Sequence, residues 1–345
     1  MKMQTYDTCM LCPRACGVNR TAGARGVCGQ SANVRLARAA LHFWEEPCIS
    51  GTNGSGAVFF CGCSLQCVFC QNREIATGQA GIEIPRERLA EIFLELQEQH
   101  ANNINLVTPG HYAPHIIAAV ESARRQGLRI PIVYNTGSYE TVDTIRSLEG
   151  IVDVYLPDFK YMDAALAEKY SHAKDYPNAA KAAIAEMVRQ QPQARFVPEL
   201  QVGSEKADGV RQSTAGLNVE IQSGTDRGTE PKAQTQIQIM KAGVIVRHLL
   251  LPGMLYDSKH ILKYLYEQYG NQIYYSLMSQ YTPLAHVKDY PELTKRVSEE
   301  AYAHLVHYAE QLGITNGFTQ EREVAEESFI PHFDCEGVLS TRNSG

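Results

Sequence analysis

Six short apolar runs, each closed by turn-forming residues and separated by stretches of helical spacing, restrict the fold of this chain more than any other feature. They are Ala57 to Phe60, Ile104 to Thr108, Ile130 to Asn135, Val152 to Pro157, Val244 to Leu251 and Ile273 to Met278. A strand buried on both faces reads as such a continuous run rather than as an alternation. Between the runs, apolar residues recur three and four apart, as in Leu89, Ile92, Phe93 and Leu96 behind Pro85, a proline placed for a first helical turn. Further helices are expected at 113–126, 138–148, 163–172, 178–190 and 258–268. Strands alternating with helices require βαβ units, hence a parallel sheet with right-handed crossovers. The expectation is an α/β fold, a partial (β/α)6 TIM-like barrel.

The rest of the chain divides around that barrel. Residues 1–50 form a small Cys-rich module, 51–290 the barrel, and 291–345 a last helix and tail. The helix, at about 292–312, carries Leu293, Val297, Ala301, Leu305, Tyr308 and Leu312 on one side and ends at Gly313. Residues 192–241 are rich in Gln, Ser, Thr and Gly where a short connection belongs, and they read as an insertion. Leu217, Val219, Ile221, Ile237 and Ile239 alternate with polar residues, the pattern of a small β-hairpin, with a surface loop as the alternative. A helix-to-strand connection lies on the face away from a barrel's chemistry, so the insertion is expected to meet a partner or solvent and to carry no catalytic residue.

Composition bounds the partners. With 44% hydrophobic and 20% charged residues, disorder and collagen-like repeats are excluded. A net charge of −6 leaves no excess of Lys and Arg for a phosphate backbone, so nucleic acid is not an expected partner. The start, Met-Lys-Met-Gln-Thr-Tyr-Asp, lacks a signal peptide's apolar core, and no stretch reaches the roughly 18 apolar residues of a membrane span. A cytoplasmic protein is expected.

Seven of the ten cysteines fall into two close groups, which in a reducing compartment points to metal ligation. Directly after the first run the sequence is Cys61-Gly-Cys63-Ser-Leu-Gln-Cys67-Val-Phe-Cys70, containing CxxxCxxC. So short a loop can turn the thiolates of Cys63, Cys67 and Cys70 toward one 4Fe–4S cube. Three ligands for four irons leave one iron open, the mark of a reactive rather than a structural site. A zinc knot or buried thiols is the plainer alternative, and Cys61, outside the pattern, reads as a small buried side chain. Upstream, Cys9, Cys12, Cys16 and Cys28 supply four thiolates within 20 residues, enough for zinc or a second cluster, with disulfides as the alternative. The dense spacing with Pro13 and Gly17 leans toward iron–sulfur, and a closed four-thiolate site suits an electron relay or a staple.

CxxxCxxC with the aromatic Phe69 before its last cysteine resembles the radical S-adenosylmethionine (SAM) superfamily signature. The resemblance implies a barrel of the radical SAM type. It also implies that the open iron binds SAM and that the reduced cluster generates a 5′-deoxyadenosyl radical. Polar residues gather where a barrel's chemistry belongs: Thr108-Pro-Gly-His111, Asn135-Thr136-Gly137, Asp158-Phe-Lys160 and Arg247-His248. Together with CPRxCGVNR at 12–20, FWEEPCISG at 43–51, FCQN at 69–72, LPDFKY at 156–161 and RHLLLPG at 247–253, they make the chain similar to glycyl-radical-enzyme activases of the pyruvate formate-lyase activating enzyme-like kind. That similarity implies that Thr108, Pro109 and Gly110 line the SAM amino group, with Asn135, Thr136 and Asp158 near its carboxylate. Lys160 and His248 would contact SAM or substrate. It also implies a glycyl-radical-type partner protein and a reducing donor such as flavodoxin or ferredoxin. Two positions depart from the activases: their Gly-Gly-Glu is Thr-Pro-Gly-His here, and the usual His after the third cysteine is Gln71. The competing functions are radical SAM modification of a small metabolite or peptide, and a metal-stapled scaffold or electron carrier without SAM chemistry.

Overall fold

The computed structural model describes residues 5–200, 237–319 and 331–340. A cysteine-rich segment leads into β1 (Arg35–His42), α1 (Pro47–Ser50), β2 (Ser55–Phe60), α2 (Arg73–Ala76), β3 (Ile82–Glu83), α3 (Arg86–Glu98), β4 (Ile104–Val107), α4 (Ala113–Arg125), β5 (Ile132–Thr136) and α5 (Val142–Ser147). The chain continues through β6 (Val154–Pro157), α6 (Ala164–Ser171), α7 (Tyr176–Gln190), β7 (Arg195–Pro198), β8 (Gln238–Leu249), α8 (Leu255–Tyr269), β9 (Tyr274–Met278), α9 (Glu299–Leu312) and β10 (Gly317–Thr319).

The strands form one sheet in the order β10-β9-β8-β6-β5-β4-β2-β1-β3, with β7 paired to β8. From β2 to β10 every neighbouring pair on this path is parallel. Each new parallel strand joins the same edge, so the order never reverses as it does in a doubly wound sheet, which is the strand order of a partial barrel. All six apolar runs are strands of that barrel. β2, β4, β5 and β6 are buried along their whole length, which is why they read as continuous apolar sequence.

Several boundaries differ from the sequence expectation. The sheet begins before residue 51, because β1 pairs antiparallel with β2 and carries β3 on its other side. The helix expected at 138–148 starts only at Val142, where the Thr141 side chain accepts from the Thr144 amide, and residues 137–141 instead form a loop over the strand ends. The last helix starts at Glu299 behind a Ser298 cap and closes on Gly313 at φ +90°. The insertion is anchored by structure at its base: β7 pairs antiparallel with the first part of β8, Pro198 opposite Gln238. Of the alternating residues, Ile237 and Ile239 lie at that base, while Leu217, Val219 and Ile221 fall outside the described residues. The tail returns to β1, where the Cys335 amide donates to Ala37 and the Ala39 amide to Glu336. Among the described residues, no helix is long and apolar enough to cross a membrane.

Candidate metal centre and the charged chamber beside it

The loop after β2 turns sharply at Gly62 (φ +89°) and Gln66 (φ +51°), and this folds the three cysteines back on themselves. Hydrogen-bond donors meet each sulfur. The backbone amides of Gln66 and Leu65 point at Cys63, the Asn72 amide at Cys70, and the Ser171 hydroxyl lies 3.0 Å from Cys67 Sγ. Burial pushes all three thiols up, Cys70 to about 12, where charge on Cys67 and Cys63 would add to the cost. A bound cationic cluster removes that cost, because it takes the thiolate form and repays the desolvation. Thiols that are wholly or partly buried, mutually coupled and supplied with N–H and O–H donors are the donor set an iron–sulfur cluster uses, so the residues fit the group. Among the described residues, no three His, Cys, Asp or Glu side chains converge on a point that one metal ion could occupy. A cube binds each thiolate at a separate iron and asks for no such convergence. Phe69 is buried and meets Tyr161 and Tyr281 edge-on at 6.4 Å each, so its ring anchors the loop in the core.

A chain of charges runs from this loop across the strand ends. Lys160 Nζ lies 2.6 Å from Asp158 Oδ2, and Arg247 Nε lies 2.9 Å from Asp158 Oδ1. Arg247 donates further to Asn135 Oδ1 at 2.6 Å and to Glu45 Oε2 at 3.1 Å. Glu45 Oε1 in turn accepts from Asn105 at 2.8 Å and Asn135 at 3.3 Å. Burial works against the Asp158 charge, but Arg247 and then Lys160 hold its carboxyl below the usual range. Lys160 is likewise penalised by burial, yet Asp158 and then Cys67 keep it more firmly protonated than a free lysine. Asp158 and Lys160 are therefore no exposed surface pair. Sequence reasoning gave no role to Glu45, Glu46 or Trp44, although FWEEP, two acids between aromatics and a proline, was the visible signal.

Strand alternation separates the other expected residues from this chain. Asn135 faces the charges, whereas Thr136, with Thr108 and Gly110, lines a second recess shared with Cys12 and Cys63. Thr108 holds φ +57°, an uncommon value for a β-branched residue, and Pro109 leads from it into the single turn Gly110–Tyr112. Glu140 closes the recess. It accepts from Thr136 Oγ1 at 2.7 Å and Tyr134 at 3.3 Å, and burial pushes its carboxyl up to about 7. A side chain at Gly110 would strike Glu140, a Cβ there standing 2.3 Å from both carboxylate oxygens. His248, expected at SAM or substrate, is only 2% exposed and bonds Phe159 and Ser258 through its two ring nitrogens; it holds the Asp158–Lys160 turn instead. His111 is spent similarly, on the Cys61 carbonyl at 2.7 Å.

The N-terminal cysteines also gather. Cys28 is pushed up by burial and coupled to Cys9 and Cys16; Cys12 is pushed up to about 12 by burial, with Glu140, Cys28 and Cys16 adding. Four coupled thiols fit a cluster's donor set here too. Arg20, 1% exposed, bonds the carbonyls of Ser31 and His111 and stacks on Tyr6 and Tyr112. Arg14 reaches the carbonyls of Ser64, Ser171 and His172, bolting the module onto the cysteine loop.

Comparison with known proteins gives the following. An uncharacterized protein of Methanocaldococcus jannaschii is 25% identical over 317 residues, covering 90% of this chain and 76% of the relative. SuiB of Streptococcus suis, solved with its precursor peptide SuiA, aligns with a TM-score of 0.44 at 11% identity over 76% of this chain and 47% of its own. The FeFe-hydrogenase maturase HydG of Carboxydothermus hydrogenoformans aligns at 0.40 and 10% identity over 77% and 57%. This chain thus spans about half the length of these solved chains. Residues 50–178, from α1 through the cysteine loop into α7, match the family model of the 4Fe-4S single cluster domain.

Proposed function

We propose that this chain is a radical SAM enzyme, an oxidoreductase in which Cys63, Cys67 and Cys70 hold a 4Fe–4S cluster and SAM binds beside it at the strand ends. One observation carries the reading: three donor-supplied thiols of a single loop, Cys67 buried and Cys63 and Cys70 partly exposed, open beside the Lys160–Asp158–Arg247 chain. When bound, the cluster and SAM together supply a 5′-deoxyadenosyl radical able to abstract hydrogen from a substrate. The chain's own residues bind and orient. Lys160, kept charged by Asp158, offers a cation to a carboxylate, while Asp158 and Asn135 offer acceptors to an ammonium or hydroxyl group. Leu65, Cys67 and Phe69 keep the inner side of the loop from water, while Cys63 and Cys70 stay partly exposed on its outer side. The N-terminal cysteines hold a second cluster rather than a single zinc ion, since among the described residues no three ligands converge on one point, and a flavodoxin- or ferredoxin-type protein supplies electrons.

A polar recess walled by Trp44, Glu45, Glu46 and Arg247 favours a small metabolite or a peptide side chain as substrate. A glycyl loop of a partner protein would need an open groove across the barrel top. The test is anaerobic reconstitution, counting of iron and sulfide, and assay of 5′-deoxyadenosine under a strong reductant. Cys63→Ala, Cys67→Ala and Cys70→Ala should each abolish the cluster spectrum and the nucleoside, while Cys9→Ala should leave some cleavage if its centre is structural. A folded, cluster-bearing protein that yields no nucleoside would overturn the reading in favour of an electron carrier or stapled scaffold.

A further inference from the structure

Between loop 43–46 and strands β8, β9 and β10 lies a small recess that opens to solvent. Trp44, Glu45, Glu46, Arg247, Ser276 and Phe318 form most of its wall. It adjoins the cysteine loop: the carbonyl of Gln280, also on the wall, accepts from Gln71 Nε2 at 3.2 Å, one residue past Cys70.

The charges around it balance only while Glu46 stays protonated. Arg247 is shared between Glu45 and Asp158, and Lys160 closes on Asp158, so two cations meet two carboxylates. Glu46 is a third acid, whose carboxyl burial pushes up, with Arg247 drawing it partly back and Glu45 raising it again, so that its ionised form has no cation of its own. It is 6% exposed, takes the Ser276 hydroxyl, and leaves Oε2 buried with no hydrogen-bond partner. Arg247 leaves that oxygen unbonded: its Nε, Nη1 and Nη2 turn to Asp158, Glu45 and Asn135. A bare buried carboxylate oxygen is costly, and the group that relieves it best is a charged donor. We propose that this recess takes a cationic nitrogen of the substrate, a primary ammonium or a guanidinium, onto the free oxygen of Glu46, with the Trp44 and Phe318 rings flanking its aliphatic stem. This deepens the substrate reading above and rests on it for what becomes of the ligand, while the binding stands independently.

Trp44 is the only tryptophan of the sequence, so its emission reports on this wall. Full-length, cluster-loaded protein, without SAM or reductant, is titrated with n-pentylammonium, with agmatine and with the capped tripeptide acetyl-Gly-Lys-Gly-amide, against 1-pentanol as the neutral isostere. The expected result is a saturable change with the cations and none with pentanol. Glu46→Gln should weaken cation binding by about thirtyfold or more, because it removes one side of a buried charge pair. Tighter binding of agmatine identifies a free amine as the source; tighter binding of the tripeptide identifies a peptide side chain. Equal responses to pentanol and pentylammonium, or undiminished binding by Glu46→Gln, overturn the proposal. If that variant does not fold, the two pentyl probes on the parent protein decide. Cation binding without release of 5′-deoxyadenosine would defeat only the radical SAM reading, and release without cation binding would defeat only this one.

Discussion

The carbonyl of Phe159 can only accept a hydrogen bond, so His248 Nδ1, 2.7 Å away, must carry the imidazole proton, while Nε2 lies 2.8 Å from the Ser258 hydroxyl, whose one proton is shared between it and the Met254 carbonyl at 2.9 Å. Burial disfavours the imidazolium and pushes the pKa down to about 4. In the unfolded chain the same residue takes its proton near the ordinary histidine value, about 6.5. Between those two pH values the unfolded state binds more protons. Stability from this residue is therefore complete above about pH 6.5 and is lost as pH falls toward 4, in all on the order of 3 kcal/mol. His248→Asn keeps a donor for Phe159 but cannot ionise. It should cost about 1 kcal/mol near neutrality, the worth of one hydrogen bond, and lose less stability than the parent on acidification. Melting temperatures measured from pH 7 to 4.5 check this, and parallel curves for the two proteins would show that His248 does not titrate in that window.

The turn from β2 toward α2 accepts only glycine at position 62, which combines φ +89° with a close approach to the N-terminal module. A Cβ there would stand 2.4 Å from Gln30 Cγ and 2.6 Å from the Cys28 carbonyl oxygen. Gln30 has a flexible side chain that could move, but the Cys28 backbone cannot without dragging a neighbouring thiol. Gly62→Ala should therefore lower iron content at both cysteine groups and cost about 1 kcal/mol or more of stability through backbone strain alone. Iron analysis and thermal melting test it, and full iron loading would mean that loop and module separate freely. The CxxxCxxC loop was legible because its three cysteines lie on one turn, and the barrel strands because β2, β4, β5 and β6 are buried on both faces and β8 and β9 nearly so. β1 was not legible: Arg-Leu-Ala-Arg-Ala-Ala-Leu-His favours a helix, and only pairing with β2 makes it a strand. The acidic wall was visible only as the string FWEEP, without a role, since Glu45 acquires its meaning from Arg247, which reaches it only through the sheet.

At the scale of the whole molecule, β8 enters the sheet at one end and delivers Arg247 at the other, nine residues beyond Gln238. At about 3.3 Å per strand residue, some 30 Å separates the base of the insertion from the charged chamber. The flanks of residues 201–236 already meet, because the Glu199 amide donates to the Ile237 carbonyl at 2.9 Å. Glu199 itself belongs to the barrel floor, accepting from the Thr52 and Asn53 amides and the Asn102 side chain. Residues 201–236 can therefore be replaced by Asn-Gly-Thr, whose first two residues close a type I′ turn, with Glu199, Leu200 and Ile237 left in place. The shortened protein should keep its cluster and its 5′-deoxyadenosine yield within about twofold, since shortening a connection whose flanks already meet alters chain entropy rather than the site. A shortened protein that holds its iron but loses SAM cleavage would mean that the insertion reaches round to the carboxyl ends of the strands. The division of this barrel into a chemical end and a supporting end would then fail for this chain.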